Sequence, residues 1–353
     1  MRFNDTGMDE HLALEQRIAA LIGCGDVSEA AFGDAALDIH RFQRARNEPF
    51  GKYCRHLGVP LEISDWRAIP AVPQGAFRQF PLRCFPENET VKTFRTSGTT
   101  GEGFGEHHFR SLQLYEASIL RGWDVFHLPI LPQIVLTPPP AEAPHSSLSH
   151  MMHTLRARAA GGSQLFYFGK NAASMIDSLA QSDAPVLMLG TALAFLHLFD
   201  ALEKGGVLLP LPAGSFAMET GGYKGSGRSL GRAELHAMFT RFLGLAPESI
   251  VNEYGMTELS SQFYAHGTGS PHRGPDWARA LVIDPETGRE AEIGKTGALR
   301  IFDLANLGSV LAIQTQDLAI RRADGFELIG RDPAALPRGC SRSADEMLMN
   351  SPA

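Results

Sequence analysis

Hydrophobic positions in the first fifty residues recur with the period of a helix. In "DEHLALEQRIAALIG" the residues Leu12, Ile18, Leu21 and Ile22 share one face, and Gly23 supplies a stop. A second helix is predicted over "SEAAFGDAALDIHRFQRARN", with Ser28 as its N-cap and Phe32, Leu37, Ile39 and Phe42 turned inward. The period then breaks. "WRAIPAVPQGAFRQFPLRCFPEN" is punctuated by proline and reads as a connecting arm rather than an element.

From about Val91 short apolar runs alternate with amphipathic segments. "TFRTSGTTG" is a short strand entering a glycine loop, "SLQLYEASILRGWDVF" a helix, and "QIVLTPPP" a buried strand ended by proline. "SSLSHMMHTLRARAAGG" predicts a capped helix stopped at Gly161, and "PVLMLGTALAFLHLFDALEKGG" a strand, a helix and a glycine stop. "ELHAMFTRFLGL" is a helix and "SIVNEYG" a strand. Strands separated by helices predict an α/β fold with a helix-covered, mostly parallel sheet. After about Arg273 short strands joined by Gly, Asp-Gly and Pro turns predict a smaller antiparallel β subdomain. The expected organisation is a helical region and connecting arm over 1–90, an α/β core over 91–272, a β-rich subdomain over 273–331, and a loop-like tail over 332–353.

Composition narrows the classes. The 353 residues are 44% hydrophobic and 20% charged, enough to bury one large core or two domains. The net charge is −7 with no basic run, which argues against a nucleic-acid partner. No apolar run approaches the ~18 residues of a membrane span. The polar start lacks the apolar stretch of a secretory leader. Cys24, Cys54, Cys84 and Cys340 are scattered without a CxxC pair, so neither a zinc knuckle nor a disulfide framework is expected, and a reduced, cytoplasmic setting is.

Four stretches carry candidate chemistry. "RTSGTTGEGFGEHHF" combines small hydroxyls with mobile backbone, which suits a loop wrapping phosphate with N–H groups and hydroxyls; a solvated turn has the same composition. "VNEYGMTELSSQFY" places Tyr254, Gly255, Thr257 and Glu258 after an apolar strand end, where ligands of parallel sheets sit. An acid there holds Mg²⁺ against phosphate oxygens; the same residues also describe a helix start with Thr257 as cap. In "IQTQDLAIRRADGFELIGRD" Asp317 can hold both ribose hydroxyls and Arg331 a phosphate or ribose oxygen, or the segment is a surface hairpin. In "METGGYKGSGRSLGR" residues 222–229 nearly spell a Walker A loop, with Arg228 where lysine belongs. That loop needs a strand before it, and "LPLPAGSFAMET" is weak as one; Gly221 and Gly222 instead let a flat base approach the backbone.

Taken in order, TSGTTG, the Gly-Gly stretch, YGMTE, Asp317 and Arg331 resemble the adenylate-forming superfamily of acyl-CoA synthetases, luciferases and peptide-synthetase adenylation domains. The resemblance covers about residues 93–331. It implies the fold of that family's N-terminal domain, with 91–272 as the nucleotide-binding core. It assigns the phosphates of ATP to Thr96, Ser97, Gly98, Thr99, Thr100 and Gly101. It assigns a phosphate to Thr257, Mg²⁺ to Glu258, the adenine to Tyr254 with Gly255, Gly221 and Gly222 nearby, and the ribose to Asp317 with Arg331 beside it. Two departures stand out. The lysine that usually follows TSGTTG is missing, leaving His107 and His108 as candidates for its charge. The chain also stops about 20 residues after Arg331, where the family continues into a C-terminal domain of roughly 100 residues.

"LPRGCSRSADEML" resembles the tail of the acyl-protein synthetase branch of bacterial bioluminescence. The resemblance implies that Cys340 takes the acyl group from acyl-AMP and hands it to a partner such as an acyl reductase. Gly339 and Pro337 suit a mobile tail, and Arg338 and Arg342 favour the thiolate. The expected substrate is a carboxylic acid, a fatty acid in that branch. Two alternatives remain open at this point: transfer to coenzyme A, an amine or a carrier protein, with Cys340 a bystander, or a non-catalytic nucleotide-binding subunit.

Overall fold

A computed structural model of the chain describes residues 5–96, 103–159, 163–165, 172–180, 183–221 and 230–331. The chain divides into two compact units. One holds residues up to Val125, Thr257–Ser261 and the chain from Gly274 onward; the other holds Phe126–Met256 and Gln262–Arg273.

Helix α1 (Asp5–Cys24) opens the first unit. Its buried line is His11, Glu15, Ile18 and Ile22, the i, i+4, i+7, i+11 positions of one face. Leu12 lies one step off that line and is 50% exposed, against expectation. The stop is Gly25, whose φ of +77° suits glycine, rather than Gly23. In α2 (Glu29–Arg46) the Ser28 hydroxyl accepts from the Ala31 amide as predicted. Phe32, Ile39 and Phe42 are buried and Leu37 is half-buried. A further helix, α3 (Glu48–His56), follows at once. Asn47 closes α2 with its backbone and opens α3 with its side chain, which accepts from the Phe50 amide.

The arm over 66–88 is more structured than its prolines suggest. It carries strand β1 (Val72–Pro73) and the short helix α4 (Ala76–Gln79). Strands β2 (Lys92–Arg95) and β3 (Glu106–Phe109) form an antiparallel ladder with Thr93 opposite His108, and α5 (Gln113–Val125) follows.

An antiparallel sheet is built in the first unit from β10 (Ala278–Ile283), β11 (Thr296–Asp303), β12 (Ala312–Arg322) and β13 (Gly325–Arg331). Its order is β1-β12-β11-β10, with β13 also on β12. Strand β1 joins it in parallel, Val72 opposite Ile313 and Pro73 opposite Gln314.

The second unit alternates strand and helix: β4 (Gln133–Val135), α6 (Ser147–Leu155), β5 (Ser163–Leu165), α7 (Ala172–Ala180), β6 (Leu187–Thr191), α8 (Ala192–Gly205), β7 (Phe216–Thr220), α9 (Arg232–Leu243), β8 (Ile250–Tyr254) and β9 (Phe263–His266). The sheet order is β5-β4-β6-β7-β8-β9, parallel except for the last strand. Fully buried Phe195, Phe199 and Phe239 pack into the same core as Met188 and Ala217. The segment before the Gly-Gly stretch is thus a strand well inside the sheet, contrary to its Pro/Gly-broken text. Pro212 and Gly214 precede β7, and Ala217 and Met218 within it are fully buried. No helix among the described residues is long and apolar enough to cross a membrane.

Candidate active site

The glycine-rich stretch joins two strands of a hairpin rather than a strand to a helix. At its foot the Thr96 amide donates to the Gly105 carbonyl at 2.9 Å, and the Gly105 amide donates to Thr96 Oγ1 at 2.9 Å. Ser97, Gly98, Thr99, Thr100 and Gly101 lie outside the described residues, as do Gly222 and Cys340.

Burial works against a positive charge on both histidines after the loop. His107 is buried in β3, with Nδ1 2.9 Å from the Thr257 carbonyl. A carbonyl only accepts, so Nδ1 carries the proton. Burial pushes this imidazole down to about 4, and it is neutral at pH 7. His108 is half-buried, 3.1 Å from Thr93 Oγ1, and burial lowers its pKa as well. His107 instead ties the hairpin to the turn that carries Thr257.

That turn is not a helix start. Residues 257–258 are a turn, so the capping role falls away. Glu258 is only 3% exposed. Its Oε1 accepts from Gln74 Nε2 at 3.0 Å, and its carbonyl accepts from Asn306 Nδ2 at 2.9 Å. Just beyond, the buried Asp303 carboxylate at the end of β11 accepts from the Ser260 amide (2.9 Å), the Ser261 amide (2.8 Å), Ser261 Oγ (2.7 Å) and the Ala305 amide (3.0 Å). Burial pushes this carboxyl up, while the four donors pull it back toward the charged form. Ser118 Oγ donates to Ser261 Oγ at 2.9 Å, and Trp277 Nε1 donates to Ser118 Oγ at 2.8 Å. The result is a buried chain of donors ending on one carboxylate.

Asp317 and Arg331 face each other across the β12–β13 ladder. The Asp317 amide donates to Thr315 Oγ1 at 3.1 Å; Asp317 is half-buried and Arg331 exposed. Asp317, Arg331, Thr257 and Glu258 all belong to the first unit, whereas Gly221, Tyr254 and Gly255 belong to the second.

In the second unit the ends of β7 and β8 carry two buried carboxylates that the sequence reading passed over. Glu219 Oε1 accepts from Asn252 Nδ2 at 2.6 Å, and Asn252 Oδ1 lies 2.5 Å from His272 Nε2. Glu253 accepts from Thr220 Oγ1. Burial pushes Glu253 up to about 7; the Thr220 bond opposes this and the neighbouring Glu219 charge adds to it. A Cβ at Gly255 would lie 2.4 Å from Glu253 Oε1, so a larger residue there would push the end of the Glu253 side chain aside. Gly221 follows β7 with φ +73°, and Tyr254 is buried edge-on to Phe263 and His272. A charged residue inside the apolar text "SIVNEYG" was the available signal for Glu253.

The raised Glu253 has a measurable consequence. The folded state keeps a proton that the unfolded chain gives up between its ordinary value of 4.5 and about 7. Stability is therefore fully present below that window and falls as pH rises through it, by about 3 kcal/mol. Glu253→Gln keeps an acceptor for Thr220 and removes the titration. Urea unfolding at pH 5 and pH 8 should show the variant level with wild type at the lower pH and more stable at the higher. A wild-type slope preserved in the variant would assign the titration elsewhere.

Among the described residues, no three His, Cys, Asp or Glu side chains come together to hold a metal. What fits is an ion arriving with other ligands: Mg²⁺ takes one or two carboxylates and completes its shell with phosphate oxygens and water. The anchored Glu258 is a carboxylate that could take part in such a shell.

Comparison with known proteins gives the fold. No protein-family model matches the chain. The structure superposes on 2-hydroxyisobutyryl-CoA ligase in its postadenylation state with 2-HIB-AMP at a TM-score of 0.65, with 13% identity, over 86% of this chain and 68% of that one. ATP-bound MatB from Rhodopseudomonas palustris gives 0.51 and 18% over 70% of this chain; the match spans about half, 49%, of the MatB chain. The chain has the fold of the adenylate-forming superfamily. Among curated proteins it is similar to the long-chain-fatty-acid–luciferin-component ligase of Vibrio harveyi, 21% identical over 335 residues that cover 87% of this chain and 85% of that protein.

Proposed function

We propose that the chain is an ATP-dependent, AMP-forming acid ligase of the acyl-protein synthetase type. A carboxylate oxygen of the substrate attacks the α-phosphorus of ATP. The bond from that phosphorus to the pyrophosphate breaks, and acyl-AMP forms as pyrophosphate leaves. The enzyme's part is to hold two anions together and offset the charge between them. The observation that carries this reading is the fixed turn at residues 257–258, where a nearly buried carboxylate is aimed by a side-chain amide instead of capping a helix. Thr257 and the glycine loop, Thr96 to Gly101, would bond phosphate oxygens; Asp317 and Arg331 would hold the ribose; Tyr254, Gly255, Gly221 and Gly222 would flank the base. Mg²⁺, held by Glu258, would supply positive charge against the phosphates.

In the second step the Cys340 thiolate attacks the acyl carbonyl, AMP departs, and a thioester remains for delivery to a partner such as an acyl reductase. The name of the Vibrio harveyi relative points to long-chain fatty acids as the substrate class. The test is intact-protein mass after incubation with ATP, Mg²⁺ and a panel of carboxylic acids, for wild type and Cys340→Ala. The expected result is a hydroxylamine-labile acyl mass on wild type only, with pyrophosphate released by both. Pyrophosphate without any adduct moves the acceptor to an external thiol or amine. No pyrophosphate with any acid defeats the ligase reading.

A further inference from the structure

We propose that Gln74 is a positioning residue that aims Glu258 and couples it to the strand carrying Asp317; the inference rests on the ligase reading above. Gln74 follows β1, and its backbone N–H donates to the Gln314 carbonyl at 3.0 Å, which pins it to β12. Its side chain is used at both ends. Oε1 accepts from the Gln316 amide at 3.3 Å, and Nε2 donates to Glu258 Oε1 at 3.0 Å. The amide has one workable orientation, because a backbone N–H only donates and a carboxylate only accepts.

The place on β12 matters. The β1 ladder ends opposite Gln314, and the β13 ladder begins at Asp317. Between the two, the Gln316 N–H is met by the Gln74 side chain. A strand residue adjacent to Asp317 and the acid at Glu258 are thus joined through one planar group. A displacement of β12 where Asp317 would grip the ribose is passed to the carboxylate that would face the metal. Asn306 fixes the backbone of Glu258, whereas Gln74 holds its side chain. A hydrogen bond to a charged group of this kind carries a larger share of the energy than a neutral one.

The test separates this role from general loss of structure. Binding of ATP is measured for wild type and Gln74→Leu, with Mn²⁺ as the metal probe read by water-proton relaxation and with metal-free ATP as the reference. Gln74→Leu should weaken Mn²⁺·ATP by about tenfold while metal-free ATP changes by less than about twofold. In a Glu258→Gln background the Gln74→Leu effect should vanish, because the bond it removes no longer holds a charge. Gln74→Ser, which leaves room for water, serves if the leucine variant does not fold. Equal losses with and without metal, or a loss undiminished in the Glu258→Gln background, would overturn the proposal. Wild type binding Mn²⁺·ATP with both Gln74 variants unchanged removes Gln74 alone. Wild type that binds neither form and releases no pyrophosphate removes the ligase reading and this inference together.

Discussion

If the chain is the proposed ligase, Glu258→Gln is expected to lower acid-dependent pyrophosphate release by about a hundredfold or more, the scale seen when one electrostatic partner of a transition state is removed. The substitution isolates charge from structure. Glutamine keeps an Oε1 that accepts from Gln74 Nε2, and the backbone bond to Asn306 does not involve the side chain. The melting temperature should therefore stay where it is while turnover falls. The loss should sit in kcat more than in KM for the acid, since in the proposed reading the carboxylate would hold the cation that serves the phosphates and would not touch the acyl chain. The measurement is pyrophosphate release at saturating ATP beside a thermal melt. Turnover at the wild-type level in a folded variant would remove Glu258 from the site.

Asp303→Ala costs stability instead, about 4 kcal/mol, a large part of the 5–15 kcal/mol that holds an ordinary domain together. Four donors converge on this buried carboxylate: three backbone amides and one hydroxyl. Alanine leaves them all without an acceptor in a place water does not reach, and an unmade buried bond costs more than a made one contributes. Asparagine is the informative control. It offers one accepting oxygen where two are needed, and turns an NH₂ toward groups that already donate. Urea titration should place Asn beside Ala, far below wild type. Wild-type stability for Asp303→Asn would mean that the charge and second acceptor are dispensable.

The parts of the molecule that were legible in the sequence are those decided by near neighbours. Ser28 caps α2 because its hydroxyl reaches three residues ahead, and the alternation of strand and helix over the second unit follows from local apolar period. The parts that were not legible are decided by distant chain. The phase of α1 is set by what it packs on, so Leu12 faces out and His11 and Glu15 face in. Strand β1 is two residues bounded by proline, and only its pairing with β12 makes it a strand. Gln74, Asp303 and Asn306 carry no signature of their own; each takes its role from partners far along the chain. His107 looked like a stand-in for a cation because its position beside a glycine loop is visible in the text and its burial is not. The strand entering the glycine loop was legible and the one leaving it was not, because "EHHF" is too short to announce a strand and becomes one only through the ladder with β2.

The buried donor chain from Trp277 through Ser118 and Ser261 to Asp303 also has an optical side. An indole whose N–H is engaged in a dry, polar-terminated chain emits differently from one left in water. This indole is wired to the carboxylate that fixes Ser260 and Ser261, the residues next to the turn of Glu258. The protein therefore carries its own fluorophore at the base of its acidic turn. With Trp66 and Trp123 replaced by phenylalanine, the colour of the remaining emission reads whether that turn is intact, without any label and without turnover.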